Sequence, residues 1–208
     1  MVFSGGSTLK DSDTRGRIVE TAERFFRQYG YQKTTVADIA KALNMSPANV
    51  YRFFASKGEI NEAVARLLTG KVEAAMLAIA AQPTPASQRV VGMLRTVQTL
   101  NSELYVSDRK MHEMVAVALA ESWSVVRDHI FRMDAIMAQV IADGMAAGEF
   151  RQGDPATLAR CVHCSVMRFC HPQLIVECAD IPEPTLDKMI EFIMAGLGCQ
   201  KPARYEWE

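Results

Sequence analysis

Apolar residues recur every three or four positions along almost the whole chain, the spacing of helices that bury one face. Ile18, Ala22, Phe25, Phe26 and Tyr29 fall on one side of a segment that starts near Asp13. Gly30 stops it, as glycine commonly does just past a helix end. Val36, Ile39, Ala40 and Leu43 form a second, shorter stripe. Thr35 opens it with Asp38 three residues on, the spacing of a capping box. Asn44 follows where that helix must stop, and asparagine tolerates the left-handed backbone such a stop needs. Ser46 and Pro47 then start another helix. In it Val50 turns back toward Ile39 and Leu43, leaving Ser46, Ala48, Asn49, Tyr51 and Arg52 outward. Ser56 and Glu59 cap a long helix whose face, Ile60, Ala63, Val64, Leu67 and Leu68, continues to about Ala81. Two prolines in Gln82-Pro83-Thr84-Pro85 end it.

Beyond that loop the spacing predicts helices over 86–105, 108–119 and 121–147, the last closed by Gly148. Asp154 and Pro155 open the next, which runs to His171 and is stopped by Pro172; a final helix covers 184–197. No alternating, β-branched segment bounded by turns occurs, so the class is all-α, with about nine helices. A boundary near Gly70 separates a head, 13–69, from a body, 70–208, and residues 1–12 are expected to be a flexible arm.

With 49% apolar residues in 208, the chain can bury a sizeable core. The formal net charge of −1 argues against general polyanion binding, but its distribution is uneven. Lys10 to Glu59 carries nine basic against six acidic residues, and the remainder fourteen against eighteen. A mildly basic head on an acidic body fits a local nucleic-acid surface. No apolar run approaches the roughly 20 residues of a membrane span, and the start lacks a signal peptide's pattern. Five cysteines, an odd number, do not make a secreted disulfide framework, so a cytoplasmic protein is expected.

The order T-x-x-D-I-A-x-A-L-N-M-S-x-x-x-V-Y-R-F-F-x-S-K-G-E-I, from Thr35 to Ile60, closely resembles the DNA-binding region of the TetR (tetracycline repressor) family of transcriptional regulators. Ile39-Ala40, Val50-Tyr51, Phe54 and Ser56-Lys57 carry the match at the family's spacing; Asn44 departs from the family's usual glycine. The resemblance implies an N-terminal helix-turn-helix domain followed by a helical ligand-binding and dimerisation domain. It also implies a small-molecule effector, of unknown identity, that changes the spacing of two DNA-binding heads. Most members of the family repress.

Residue chemistry assigns roles within the helix-turn-helix. Thr35, through its hydroxyl and a helix N-terminus, and Lys57, through its charge, suit phosphates, as does the Tyr51 hydroxyl. Arg15 and Arg17 are further phosphate candidates. Ser46, Pro47, Ala48, Asn49 and Arg52 form the face that meets base edges: Asn pairs bidentately with adenine, Arg with guanine, and Ala meets a thymine methyl. One head buries too little DNA for useful specificity. A homodimer reading a palindromic operator in double-stranded DNA, its recognition helices roughly 34–36 Å apart, is therefore expected. Leu158, Val162, Val166, Phe169, Met189, Ile190 and Ile193 are the expected dimer ridge. Trp123, Arg127, His129, Met133 and Met167 are the expected effector-pocket residues.

Cys161, His163, Cys164, Cys170, His171 and Cys178 supply the rival reading, a metal- or redox-sensing helical protein. Their spacing lacks paired C-x-x-C and H-x-x-x-H, and Cys161, Cys164 and Cys170 are expected to be packing residues. No cofactor and no resident metal are expected. No nucleophile–base set, phosphate loop or acidic metal cluster supports an enzyme.

Overall fold

The computed structural model describes residues 6–103, 110, 114–117 and 123–199. Among them the ordered elements are helical and no strand occurs: α1 (Gly6–Tyr29), α2 (Val36–Ala42), α3 (Pro47–Tyr51), α4 (Lys57–Ala80), α5 (Ala86–Asn101), α6 (114–117), α7 (Trp123–Ala146), α8 (Pro155–Cys170), α9 (Pro172–Glu177) and α10 (Leu186–Gly196). Of the helix expected over 108–119, residues 110 and 114–117 are helical, and the others lie outside the described residues. Helix α1 begins at Gly6, seven residues before Asp13, because extending an existing helix adds a hydrogen bond per residue without a new nucleation cost.

The chain divides into two compact units. The first comprises residues up to Thr69 with the described residues between 108 and 126; the second comprises 70–107 and 127–208. The first unit's leading stretch ends at Thr69 and the second unit begins at Gly70.

In the first unit, α1 contributes Ile18, Ala22 and Phe26, α2 contributes Val36, Ile39 and Ala40, and α3 contributes Val50. All are buried with Phe54 and with Ile60, Val64 and Leu68 of α4. Each large side chain fully removed from water stabilises by roughly 1.5–3 kcal/mol, so it is this core that holds the short helices α2 and α3 in place. Tyr29, expected on the buried stripe, is 49% exposed; Tyr31, beyond the helix end, is buried instead and meets the Phe26 ring at 5.3 Å. Thr34 pins the turn between α1 and α2 by donating its hydroxyl to the Gly30 carbonyl at 2.9 Å.

The second unit has its own core, built from Val72 and Met76 of α4, α5, α7, Phe150, and the inner faces of α8 and α10. Gly144 allows α7 to come close: a Cβ there would lie 2.3 Å from the Phe150 ring and 2.9 Å from Ala86 Cβ. Gly148, at φ 75°, ends α7 as its position predicted. Helix α8 stops at Cys170, just ahead of Pro172 as expected, but nothing in the sequence announced the short helix that follows. His171 is extended (φ −78°, ψ 124°), the conformation a following proline imposes, and Pro172 then opens the short α9 in the first-turn position prolines favour.

Candidate nucleic-acid interface

The capping box at the start of α2 is complete. Thr35 Oγ1 accepts from the Asp38 N–H at 3.1 Å, and the Asp38 carboxylate accepts from the Thr35 N–H at 2.9 Å. The Thr35 hydroxyl also donates to Asp38 Oδ2 at 2.6 Å, and this bond together with the backbone bond from Thr35 holds the Asp38 carboxyl below its usual range. The Thr35 hydroxyl, expected from sequence to meet a phosphate, is thus engaged by the Asp38 carboxylate in this structure.

Helix α2 ends in a Schellman motif built on asparagine. Met45 N–H donates to the Ala40 carbonyl at 2.9 Å and Asn44 N–H to the Lys41 carbonyl at 3.1 Å, with Asn44 at φ 54°. The chain thus turns in three residues into Ser46, whose side chain accepts from the Asn49 N–H at 3.2 Å and caps α3. Pro47 takes the first helical position. With Val50 wholly buried, the helical period leaves Ser46, Pro47, Ala48, Tyr51 and Arg52 exposed and Asn49 half-exposed. No other part of the first unit's described residues covers this face.

Its flank is basic. Arg15 on α1 lies with its guanidinium 4.4 Å from the Phe54 ring centroid, and Arg17 is exposed. Lys57, first residue of α4, holds its ammonium 4.2 Å over the Tyr31 ring and donates to the Gln32 carbonyl at 3.4 Å. Partial burial pulls its pKa down. These contacts fix the position of Lys57, and two of its three protons remain for another acceptor. A short, capped helix with a polar and aromatic outer face, set by a tight turn against a second helix and flanked by cations, is a helix-turn-helix shaped for a major groove.

Comparison with known proteins decides the family. Residues 18–64 match bacterial regulatory proteins of the tetR family, and residues 86–190, half of the chain, match the tetracyclin repressor-like C-terminal domain. The chain belongs to the TetR family. Like its members, it is a DNA-binding transcriptional regulator. This TetR-family chain is similar to the uncharacterized HTH-type regulator YhgD of Bacillus subtilis, 24% identical over 157 residues, which span 71% of this chain and 77% of YhgD. It is similar to the HTH-type regulator TcmR of Streptomyces glaucescens, 29% identical over 136 residues, 62% of this chain and 59% of TcmR. Among solved structures its fold is similar to SmeT, the repressor of the Stenotrophomonas maltophilia multidrug efflux pump SmeDEF, with a TM-score of 0.63 at 18% identity over 93% of this chain and 96% of SmeT. Among the described residues no helix is long and apolar enough to cross a membrane.

The TetR-family body differs from the residue-level expectations in three places. The expected dimer ridge is consumed by the chain itself. Val162, Val166, Ile190 and Ile193 are buried in the second unit's core, and Leu158, Phe169 and Met189 pack against it. The outward face of α8 instead carries Ala156, Thr157, Arg160, Cys161 and Cys164, while on α10 Phe192 is 70% exposed. The cysteines divide accordingly. Cys161 and Cys164 are exposed and are not packing residues, because the helical period puts Ala159, Val162 and Val166 inward. Cys170 is largely enclosed, and burial pushes its thiol up to about 12. Among the described residues no three of His, Cys, Asp or Glu come together as a metal site.

The third difference is the pocket. A cavity of about 60 Å³ lies inside the second unit, lined by residues of α4, α5, α7 and α8. Of the five expected residues, Met133 lines it; Arg127, His129 and Met167 do not, and the side chain of Trp123, first residue of α7, lies outside the described residues. His129 faces α4, where its Nδ1 meets the Glu73 carboxylate at 2.7 Å, and Arg132 Nε joins Glu73 from the other side at 2.7 Å. Burial drives the His129 pKa down despite that carboxylate, so a neutral ring donates Nδ1–H. Burial works against the Glu73 charge, but the bonds from Arg132 and His129 hold its carboxyl below the usual range. Arg127 is exposed beside Asp128. Sequence reasoning missed the polar part of the wall, Asp134 and His163. The signal available was an aspartate next to the apolar stripe of Ile130, Met133, Ile136, Met137, Val140 and Ile141.

Proposed function

We propose that the protein is a homodimeric, ligand-responsive repressor that acts in the cytoplasm on a palindromic operator. The observation that carries this is the uncovered outer face of α3, from Ser46 to Arg52, on a helix whose inner face is sealed by Val50. Asn49 and Arg52 read adenine and guanine edges, Ala48 and Pro47 meet thymine methyls, and Ser46 contributes a hydroxyl. Phosphates are held by Tyr51, by Lys57 and by the backbone at the start of α2 beside Thr35, with Arg15 and Arg17 nearby. The fold shared with SmeT, itself a repressor, favours repression over activation.

Two copies join through the outward faces of α8 and α10, where small side chains and Phe192 lie uncovered. The effector enters the cavity of the second unit and releases DNA. It does so by favouring one packing of the body helices over another, since a ligand shifts an equilibrium only by its differential affinity. Helix α4 is the mechanical link, because its 24 residues belong to the head at Lys57 and to the cavity wall at Met76.

The test is to sequence the DNA fragments retained by the purified protein and then titrate the selected duplex. Arg52→Ala should weaken selected-site binding by about 1–3 kcal/mol and relax preference at one symmetric pair of positions. Selected sites without twofold symmetry, or an Arg52→Ala variant binding as wild type does, would refute the assignment.

A further inference from the structure

The wall of the second unit's cavity is apolar except at one place. Four methionines, Met76, Met93, Met133 and Met137, supply flexible, polarizable sides. Into this lining α7 brings Asp134, only 9% exposed, and α8 brings His163. His163 Nδ1 lies 2.6 Å from Asp134 Oδ1, and the Arg160 guanidinium lies 3.4 Å from Asp134 Oδ2. A neutral imidazole that gives its Nδ1 proton to a carboxylate keeps Nε2 as an acceptor, and among the described residues no hydrogen bond reaches Nε2.

The charges at this spot define what fits. An anionic ligand would find the one guanidinium beside the wall, Arg160, already paired with Asp134 Oδ2 at 3.4 Å. A cationic one would find both carboxylate oxygens engaged, and no aromatic ring in the wall to receive it. What remains is a neutral molecule with an apolar body and one hydrogen-bond donor. Size narrows it further. An apolar cavity near 150 Å³ accepts benzene, so a space of about 60 Å³ takes one ring only after the methionines move.

Building on the effector reading above, we propose that the ligand class is a small uncharged monocyclic phenol or alcohol whose hydroxyl donates to Nε2 of His163. Asp134 acts as a positioning residue that fixes the ring, and Arg160 balances its charge. A purely structural Asp134–His163 tie between α7 and α8 would give the same distances but no discrimination among ligands. That difference is what an experiment can read.

The experiment titrates the full-length protein calorimetrically with 4-ethylphenol, its methyl ether, benzylamine and benzoate. The phenol should bind about tenfold or more tighter than the ether, because the ether leaves Nε2 desolvated and unpaired. The amine and the carboxylate should bind more weakly still. His163→Leu should bring the phenol and the ether to within about twofold, and the wild-type comparison decides the matter even if that variant does not fold. Equal binding of phenol and ether, a preference for the amine or benzoate, or a phenol preference that survives in His163→Leu would overturn the hydroxyl assignment while leaving the cavity as the effector site. Saturable binding of none of the four would overturn both readings.

Discussion

Glu149 offers the sharpest test of how the body is held together. Helix α5 starts after Pro85 with no side-chain cap of its own. The Glu149 carboxylate, more than sixty residues away, takes that role: it accepts from the Ala86 N–H at 2.8 Å, the Ser87 N–H at 2.9 Å and the Ser87 hydroxyl at 2.8 Å. Losing an N-cap costs about 1 kcal/mol, and losing a negative charge at a helix N-terminus costs roughly another 0.3–1 kcal/mol. Part of the remaining deficit is recovered by water at this half-buried site, so Glu149→Ala should destabilise by about 2 kcal/mol. At this chain length that corresponds to a fall in Tm of roughly 4–8 °C, read by circular dichroism. The pH dependence has a definite sign. Burial opposes the Glu149 charge, but the bonds from Ser87 and Ala86 hold its folded-state pKa below the ordinary value, so the carboxylate's contribution is present above that value and is lost as pH falls through the folded pKa. The gap between wild type and Glu149→Gln should thus be constant near neutrality and close in acid. An alanine variant melting within a degree of wild type, or a gap that widens in acid, would refute the capping argument.

Asn44 and Phe192 give two further tests. Asn44→Ala should destabilise the head by about 1–2 kcal/mol, because alanine has no side chain to ease a φ of 54°, whereas Asn44→Gly should be neutral or stabilising; urea titration of the two variants separates these, and equal stability would contradict the Schellman geometry. If the proposed dimer forms through α10, Phe192→Asp should shift the protein to monomer in sedimentation velocity without lowering the helix content, since the ring is 70% exposed in the isolated chain; an unchanged dimer would move the interface elsewhere.

The elements legible in the sequence were those whose information is local. Asn44, Ser46-Pro47 and Thr35 with Asp38 fix the helix-turn-helix through contacts no more than five residues apart, and each took the role its chemistry indicated. The facing of the body helices was not legible in the same way. Val162 and Cys161 are adjacent, and periodicity alone marks both flanks of α8 as mildly apolar; only the arrival of α5 and α10 against one side makes Val162 core and leaves Cys161 exposed. For the same reason His129 was expected in a pocket it does not line. Its partner, Glu73, lies 56 residues earlier, and nothing near either residue announces the pairing. Asp134 and His163 belong to this non-local class too: their link spans 29 residues and joins two helices.

These two polar clusters, one on each side of α7, bear on how an effector could act at all. Glu73 ties α4 to α7 through His129 and Arg132, and Met76, three residues further along α4, lines the cavity. A molecule larger than the space available must displace methionine side chains of α4, α5 or α7 before it fits. That requirement is what makes binding selective for one packing: a roomy, preformed cavity would accept the ligand equally in both arrangements and shift nothing. Typical coupling between sites is 1–3 kcal/mol, the same order as breaking a hydrogen bond to a charged group. A displacement that strains only the Glu73 cluster is therefore large enough to matter, and the smallness of the cavity works for regulation rather than against it.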